Sequence, residues 1–194
     1  SMNMQGGRIS GGSAGILGGG ICLSNDARYD SAITLGGTAQ ITDNAKSNLY
    51  LPQDKTVDVD TLAKPACIGV TAGTTNFASN VSQSDARYFF SDDGKYAVVW
   101  SNGILKLATH NHCICGGSVA EHSCESISWT SLRAALAAKG MTADTADFGK
   151  LAAGNYFLDC DITVTGSTNV TKNISLCLNG YSISREEGKI FGYL

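Results

Sequence analysis

The side chains best suited to chemistry form one cluster, because all three histidines of the chain and three of its seven cysteines lie within fifteen consecutive residues. Imidazole and thiolate groups together favour zinc or a similar ion. The segments H-x-H-C-x-C and H-x-C are close enough along the chain to surround one tetrahedral ion, so we predict a structural zinc site here. Its predicted ligands are Cys113, Cys115, His122 and Cys124, with His110 or His112 able to replace one of them.

Two other interpretations of the cluster stay open, because C-x-C is not one of the familiar zinc-finger spacings. In the first, Cys113 and Cys115 form a redox or crosslinking pair beside the histidines, although thioredoxin-like proteins use C-x-x-C. In the second, the cluster is a polar loop that binds nothing. A zinc ion with four protein ligands has no open position for a substrate. The cluster therefore indicates a structural ion that holds the chain together (a staple) rather than a catalytic site.

The other four cysteines, Cys22, Cys67, Cys160 and Cys177, lie in short apolar runs. Cysteine in such a run is typical of a small buried hydrophobic residue, and this is our interpretation of all four. A disulfide between Cys160 and Cys177 is the alternative. Because seven is an odd number, at least one thiol has no disulfide partner within the chain.

An internal repeat predicts the elements that position the cluster. Residues 9–16 match residues 34–41 at an offset of 25, and Ile21–Leu23 matches Leu49–Leu51 at an offset of 28. A further apolar segment, Cys67–Val70, continues the series. Repeats of this length with short strands are typical of solenoids, in which neighbouring turns must stack to bury a core.

The rest of the chain predicts a hairpin, one helix and more turns of the solenoid. Asn102-Gly103 between apolar runs predicts an antiparallel hairpin over residues 96–107. The alanine-rich segment 131–139 predicts a short helix with a polar cap before it and Gly140 after it. Short alternating segments from Asn155 onward predict a second set of stacked turns.

These elements predict a mainly β fold of parallel β-helix (solenoid) segments with a capping hairpin and one short α-helix. The predicted regions are 1–107 for the end of one β-helix with its hairpin, 108–130 for the Cys/His junction, and 131–194 for the helix and the first turns of a second segment. Stacked parallel turns are expected to begin at residue 8 and reach residue 71.

Composition excludes several partners. The net charge is −3 and charged residues make up only 16 % of the 194 residues, without any Lys/Arg run, which argues against nucleic acid and anionic membranes. No apolar stretch approaches the roughly 20 residues needed to insert across a membrane. Ser1-Met2 is typical of a cloning remnant, so we expect a fragment of a larger protein.

Several blocks of the chain resemble the repeats of large cell-surface proteins from gut Firmicutes. The blocks that carry this resemblance are Gly18–Leu23, Asn48–Pro52, Ile68–Thr71, Tyr88–Asp93, Tyr96–Val99, His110–Gly116 and Leu176–Gly180. The resemblance covers most of the chain and departs from the family at residues 125–150, and Cys22 stands where the family more often has Tyr. It implies right-handed parallel β-helix segments of the pectin-lyase-like type, in proteins described only as adhesins or surface proteins.

The function expected from residues and resemblance together is a non-catalytic, extracellular module of a wall-associated surface protein, with a metal-stapled junction. The alternatives are a polysaccharide lyase or hydrolase, which needs converging carboxylates, and a module that binds a host glycan or protein. Candidate acid pairs are Asp58 with Asp60, Asp92 with Asp93, and Asp159 with Asp161. The first and last pairs would each share one strand face, where a surface Ca²⁺ is conceivable, but solvated acids explain all three pairs, so we predict no catalytic site.

Overall fold

The computed structural model describes residues 1–29, 31–112, 114, 127–165 and 170–185. The described chain is mainly β. Its strands are β1 (Met2–Met4), β2 (Arg8–Ile9), β3 (Ile21–Cys22), β4 (Ile33–Gly37), β5 (Gln40–Ile41), β6 (Leu49–Leu51), β7 (Asp58–Leu62), β8 (Cys67–Ala72), β9 (Asn76–Ser79), β10 (Phe89–Ser91), β11 (Tyr96–Ser101), β12 (Ile104–Thr109), β13 (Thr130–Ser131), β14 (Gly154–Phe157), β15 (Ile162–Thr163), β16 (Ile174–Cys177) and β17 (Ile183–Ser184).

Helices are few and short in the described residues. The α-helix α1 covers Leu132–Ala137, and the two 3-10 helices cover Gln83–Tyr88 and Phe148–Lys150. None of the described helices has the length and apolar character needed to cross a membrane.

The chain forms two compact units. The first comprises Ser1–Asp93 and Val98–Ala108, and the second comprises Gly94–Ala97 and the described residues from Thr109 onward. Each unit has a hydrophobic core of its own.

Parallel strand ladders build the first unit. One ladder has the order β1-β4-β7, and a second has the order β2-β5-β8-β6-β3, with β10 also paired to β8. In the second ladder Ile41 lies between Ile9 and Ile68 in parallel register, and Ile41 and Ile68 are fully buried. Stacked apolar residues in register are the core of a β-solenoid, so the predicted fold class and the stacked turns within residues 8–71 are confirmed.

The sequence repeat predicts only part of the strand pairing between turns. The offset of 28 is confirmed, because Ile21 pairs with Leu49 and Cys22 with Tyr50. The offset of 25 is wrong for Ile41, whose partner is Ile9 rather than Ile16. Residues 10–20 form a glycine-rich loop without strands, and Ile16 is 82 % exposed within it.

A polar network joins successive turns of the first unit. The Asn44 side-chain amide donates to the carbonyl of Ile9 at 3.0 Å and to Oδ1 of Asn48 at 3.0 Å. Asn48 Nδ2 in turn donates to Asp92 Oδ1 at 2.6 Å, and Thr71 Oγ1 donates to Asp92 Oδ2 at 2.9 Å. Since these partners come from different turns, the hydrogen bonds of the network hold neighbouring turns together.

Gly69→Ala is expected to destabilise the first unit, because a methyl group at Gly69 would overlap Asn48 Nδ2 and Asp92 Oδ1 of this network and lie 2.7 Å from the Phe90 ring. Crowding of a packed interior costs about 1–3 kcal/mol, which a lower urea midpoint would report. The matched control is Gly15→Ala, since a methyl group there meets no atom within 4 Å. Equal midpoints for the two variants would contradict the described packing.

The predicted hairpin is confirmed. β11 and β12 are neighbours in one sheet, and they are joined by Asn102 and Gly103, which have φ values of 50° and 78°. Two consecutive residues with positive φ are typical of the type I′ turn that connects antiparallel strands. β12 also pairs antiparallel with β9.

The second unit repeats the solenoid pattern on a smaller scale. β13, β14 and β16 form a parallel sheet, and β15 pairs in parallel with β17. Helix α1 begins after Ser131, whose hydroxyl accepts a hydrogen bond from the Ala134 amide at 3.1 Å as an N-terminal cap. Leu132 and Leu136 of the helix are fully buried. The prediction of one short helix here is confirmed, although α1 ends two residues earlier than expected.

Candidate metal centre

The sheet β13-β14-β16 presents two different faces. Tyr156 pairs with Leu176 and Phe157 pairs with Cys177 in the parallel register of β14 and β16. Neighbouring residues of a strand point to opposite faces, so the two pairs are separated by the sheet. Tyr156 and Leu176 pack in the core of the second unit, whereas Phe157 and Cys177 pack on the other face with Trp129.

Two histidine rings cover this outer face. The His110 ring stacks on the Phe157 ring with centroids 4.6 Å apart and planes 25° apart. The His112 ring lies 4.5 Å from the ring of Trp129, and Trp129 Nε1 donates a hydrogen bond of 2.9 Å to the His112 carbonyl. Phe157 is fully buried and Trp129 is 7 % exposed, so both imidazoles rest on rigid aromatic supports.

The histidines and Cys177 bring three potential metal ligands together. One ligand atom from each of His110, His112 and Cys177 lies within 4.8 Å of the other two, and all three residues are half-buried. An ion at the centre of a triangle with sides of 4.8 Å would be about 2.8 Å from each corner. Bonds of about 2.0–2.3 Å to nitrogen and sulfur therefore require each donor to move inward by less than about 1 Å. This group could hold a metal ion.

His110 fits the role of a ligand in two further respects. Its Nε2 atom is buried and makes no hydrogen bond to any described residue, which is unusual for a buried polar atom. Burial, together with the neighbouring His112, lowers the pKa of His110 to about 4. The ring is therefore neutral near pH 7, and one of its nitrogens has a lone pair that a metal can accept.

The lowered pKa predicts how the stability of the metal-free protein depends on pH. Between about pH 4 and pH 6.5 the unfolded chain binds a proton at His110 that the folded chain does not bind. The free energy of unfolding therefore falls as the pH is lowered through this range. Urea midpoints measured with a chelator present should show this slope, and His110→Gln should flatten it. The same slope in both proteins would contradict the assignment.

The structure describes two of the six predicted ligands. His110 and His112 are brought together, as the clustering of histidines suggested, whereas Cys113, Cys115, His122 and Cys124 lie outside the described residues and stay predictions. Cys177 was missed. Its position between two leucines was interpreted as a buried hydrophobic site, yet strand alternation places Cys177 and Leu176 on opposite faces, and that signal is present in the sequence.

The interpretation of the other four cysteines as buried needs correction, because Cys67, Cys160 and Cys177 are half-buried, and the alternative of a Cys160–Cys177 disulfide is excluded. Cys22 is exposed rather than buried, because it lies in the short edge strand β3. Cys160 and Cys177, which are both described, are not joined by a disulfide. Their side chains pack with different clusters, Cys160 with the core of the second unit and Cys177 on the outer face of the sheet.

The acids Asp159 and Asp161 stabilise the fold of the second unit. Asp159 is 3 % exposed and accepts a hydrogen bond of 2.6 Å from Ser131 Oγ, with Arg133 Nε 3.5 Å away. Asp161 accepts hydrogen bonds from the amide and the hydroxyl of Ser182 at 3.0 and 2.9 Å. The expectation that they share a strand face is wrong, because Asp159 and Asp161 both lie outside the strands, in the connection between β14 and β15.

Asp58 and Asp60 do share one exposed face of β7, as predicted. Within the described part of the chain, no third carboxylate, histidine or cysteine lies close enough to form a ligand group with them. The half-buried Asp92 is used by the polar network that connects the turns of the first unit.

The strand ladders and the His/Cys group together define a β-solenoid protein with a candidate metal centre. The chain matches no protein-family model, no curated protein and no solved structure. The solenoid fold therefore rests on the strand pairing itself, and the resemblance to bacterial surface proteins stays a prediction.

Proposed function

We propose that this chain is a non-catalytic structural module of an extracellular, cell-wall-associated surface protein, in which one zinc ion staples the Cys/His junction. The proposal takes the solenoid to be a right-handed, adhesin-like β-helix. The observation that carries the proposal is the convergence of His110, His112 and Cys177 on the outer face of a solenoid sheet. Two imidazoles and a thiolate suit zinc, whereas Ca²⁺ and Mg²⁺ prefer oxygen ligands.

The proposal takes the ion to be structural, with its fourth ligand supplied by the Cys/His junction. Structural zinc sites are closed by four protein ligands, and the described residues offer three. The cysteines and the histidine predicted from the sequence, Cys113, Cys115, His122 and Cys124, are candidates for the fourth. A closed site would leave no coordination position for a substrate.

The stabilisation available from such a staple is large. An ion that binds the folded chain and not the unfolded chain raises the free energy of unfolding by about 4 kcal/mol when free zinc exceeds its dissociation constant roughly 1,000-fold. That is a large part of the total stability of a typical small domain, which is about 5–15 kcal/mol.

Elemental analysis of protein purified without added metal tests the staple. We expect about one zinc per chain, retained on gel filtration and removed by a chelator. Protein that binds no zinc even after incubation with an excess of the ion would overturn this part of the proposal.

Incubation with pectins and mucin glycans tests the absence of catalysis. We expect no depolymerisation, since Asp159 and Asp161 are hydrogen-bonded within the fold and no third described ligand group lies beside Asp58 and Asp60. Any ligand, whether a host glycan or a host protein, would bind on the broad strand faces. Depolymerisation that is lost in Asp58→Ala or Asp161→Ala, with the fold intact, would establish the enzyme alternative instead.

A further inference from the structure

We infer that the ion is a long-range clip, in which His110, His112 and Cys177 bind the same metal and so fasten the segment Thr109–His112 to the strand β16. The inference rests on the proposed function, because it assumes that the chain binds a metal. It goes further by giving the ion a task in the solenoid itself and by making Cys177 a required ligand for that task.

A local site and a long-range clip would have different consequences. An ion held only by Cys113, Cys115, His122 and Cys124 would organise one stretch of chain and would not involve the sheet. An ion held by Cys177 joins positions 67 residues apart. The geometry favours the clip, since the thiol of Cys177 already lies within 4.8 Å of ligand atoms on both histidines.

The parallel register explains why the thiol is placed there. Cys177 is the partner of Phe157 in the ladder of β14 and β16, and Phe157 is the ring on which His110 stacks. The residue pair Phe157–Cys177 therefore supports one ligand, His110, and supplies another, the Cys177 thiol. Cys177 is held by the pairing of β16 and does not depend on a loop conformation.

The histidines are also oriented without help from the ion. Phe157 fixes the plane of the His110 ring, and Trp129 holds His112 through both a ring contact and a hydrogen bond to its carbonyl. The two imidazoles stand edge to face with centroids 4.7 Å apart. Ligands held by their neighbours in this way need little rearrangement to bind a metal.

The donor set names the class of ion. The group contains two imidazoles and one thiol and no carboxylate, so it matches a borderline-soft divalent ion such as Zn²⁺ and its spectroscopic substitute Co²⁺. Ca²⁺ in the same assay should leave the protein unchanged.

Zinc affinity of the full chain and its variants tests the clip, measured by competition with a chromophoric chelator. Cys177→Ser should weaken zinc binding by more than the roughly 10–100-fold that loss of an outer-shell partner costs. The matched control is Cys160→Ser, which removes a half-buried thiol of the same unit. The zinc affinity of this variant should equal that of the wild type. Co²⁺-loaded protein should show a thiolate-to-metal absorption band that Cys177→Ser weakens or removes.

A second measurement needs no variant and so does not depend on whether Cys177→Ser folds. Zinc should slow the alkylation of Cys177 in the wild-type protein by roughly tenfold or more, because a metal-bound thiolate is a poor nucleophile. Alkylation of Cys160 should not change. Peptide mass mapping distinguishes the two sites.

The outcomes separate the clip from the proposed function. Zinc bound by the wild type and lost in the combined variant Cys113→Ser, Cys115→Ser, His122→Asn and Cys124→Ser, but retained fully in Cys177→Ser, would keep the staple and overturn the clip. A wild-type protein that binds no zinc would overturn both. Reduced affinity in Cys177→Ser together with protection of Cys177 from alkylation would establish the clip.

Discussion

Zinc is expected to raise the free energy of unfolding of the second unit by about 4 kcal/mol when the free ion exceeds its dissociation constant roughly 1,000-fold. The reason is mass action, because an ion that binds the folded chain and not the unfolded chain draws the equilibrium toward folding. Hydrogen exchange of the amides in β14 and β16 measures the effect locally. Protection there should rise with zinc and return to the metal-free value after addition of a chelator.

The double variant His110→Ala, His112→Ala is the control for this experiment. It lacks two of the three described ligands, so zinc should change its hydrogen exchange little. A similar zinc-dependent protection in the double variant would show that the ion acts elsewhere in the chain. No change in the wild type at saturating zinc would contradict the staple altogether.

Ile41→Ala is expected to cost about 2–5 kcal/mol of stability in the first unit, the range found when a large buried aliphatic side chain is truncated. Ile41 is fully buried between its ladder partners Ile9 and Ile68. Ile16→Ala makes the same chemical change at a residue that is 82 % exposed, and its stability should lie within about 0.5 kcal/mol of the wild type.

Urea unfolding of the two isoleucine variants decides between two registers of the first unit. The sequence repeat alone makes Ile16 and Ile41 equivalent residues of neighbouring turns, which predicts similar losses. The structure makes Ile9 the equivalent of Ile41. A loss in Ile16→Ala as large as that in Ile41→Ala would therefore contradict the described ladder.

The fold could be predicted from the sequence where the signal is local. Asn102 and Gly103 identify the hairpin because few other residue pairs adopt two consecutive positive φ values. The solenoid was visible in recurring apolar triplets, and one offset was correct. The other failed because the residues paired between turns of the first unit are from 21 to 32 positions apart, as Leu49 with Val70 and Arg8 with Gln40 show. Corner loops of different length prevent any single offset from aligning the strands.

The candidate site was predictable only in part for a similar reason. His110 and His112 were found because histidine occurs nowhere outside the cluster. Cys177 is 65 residues beyond His112, and only the pairing of β14 with β16 brings it to the histidines. Composition and spacing within one segment carry no information about such a partner, whereas the alternation of β16 does place Cys177 on the face away from Leu176.

The polar network of the first unit has a consequence for how this protein can change over evolution. Strands as short as β2, β3 and β5, with two residues each, specify their alignment poorly through alternation alone. The side chains of Asn44, Asn48 and Asp92 accept only one alignment, since a shift by one residue would break their hydrogen bonds. Alignment is thus set independently of corner length, so the exposed part of the 10–20 loop around Gly15 and Ile16 can gain or lose residues while the turns keep their order.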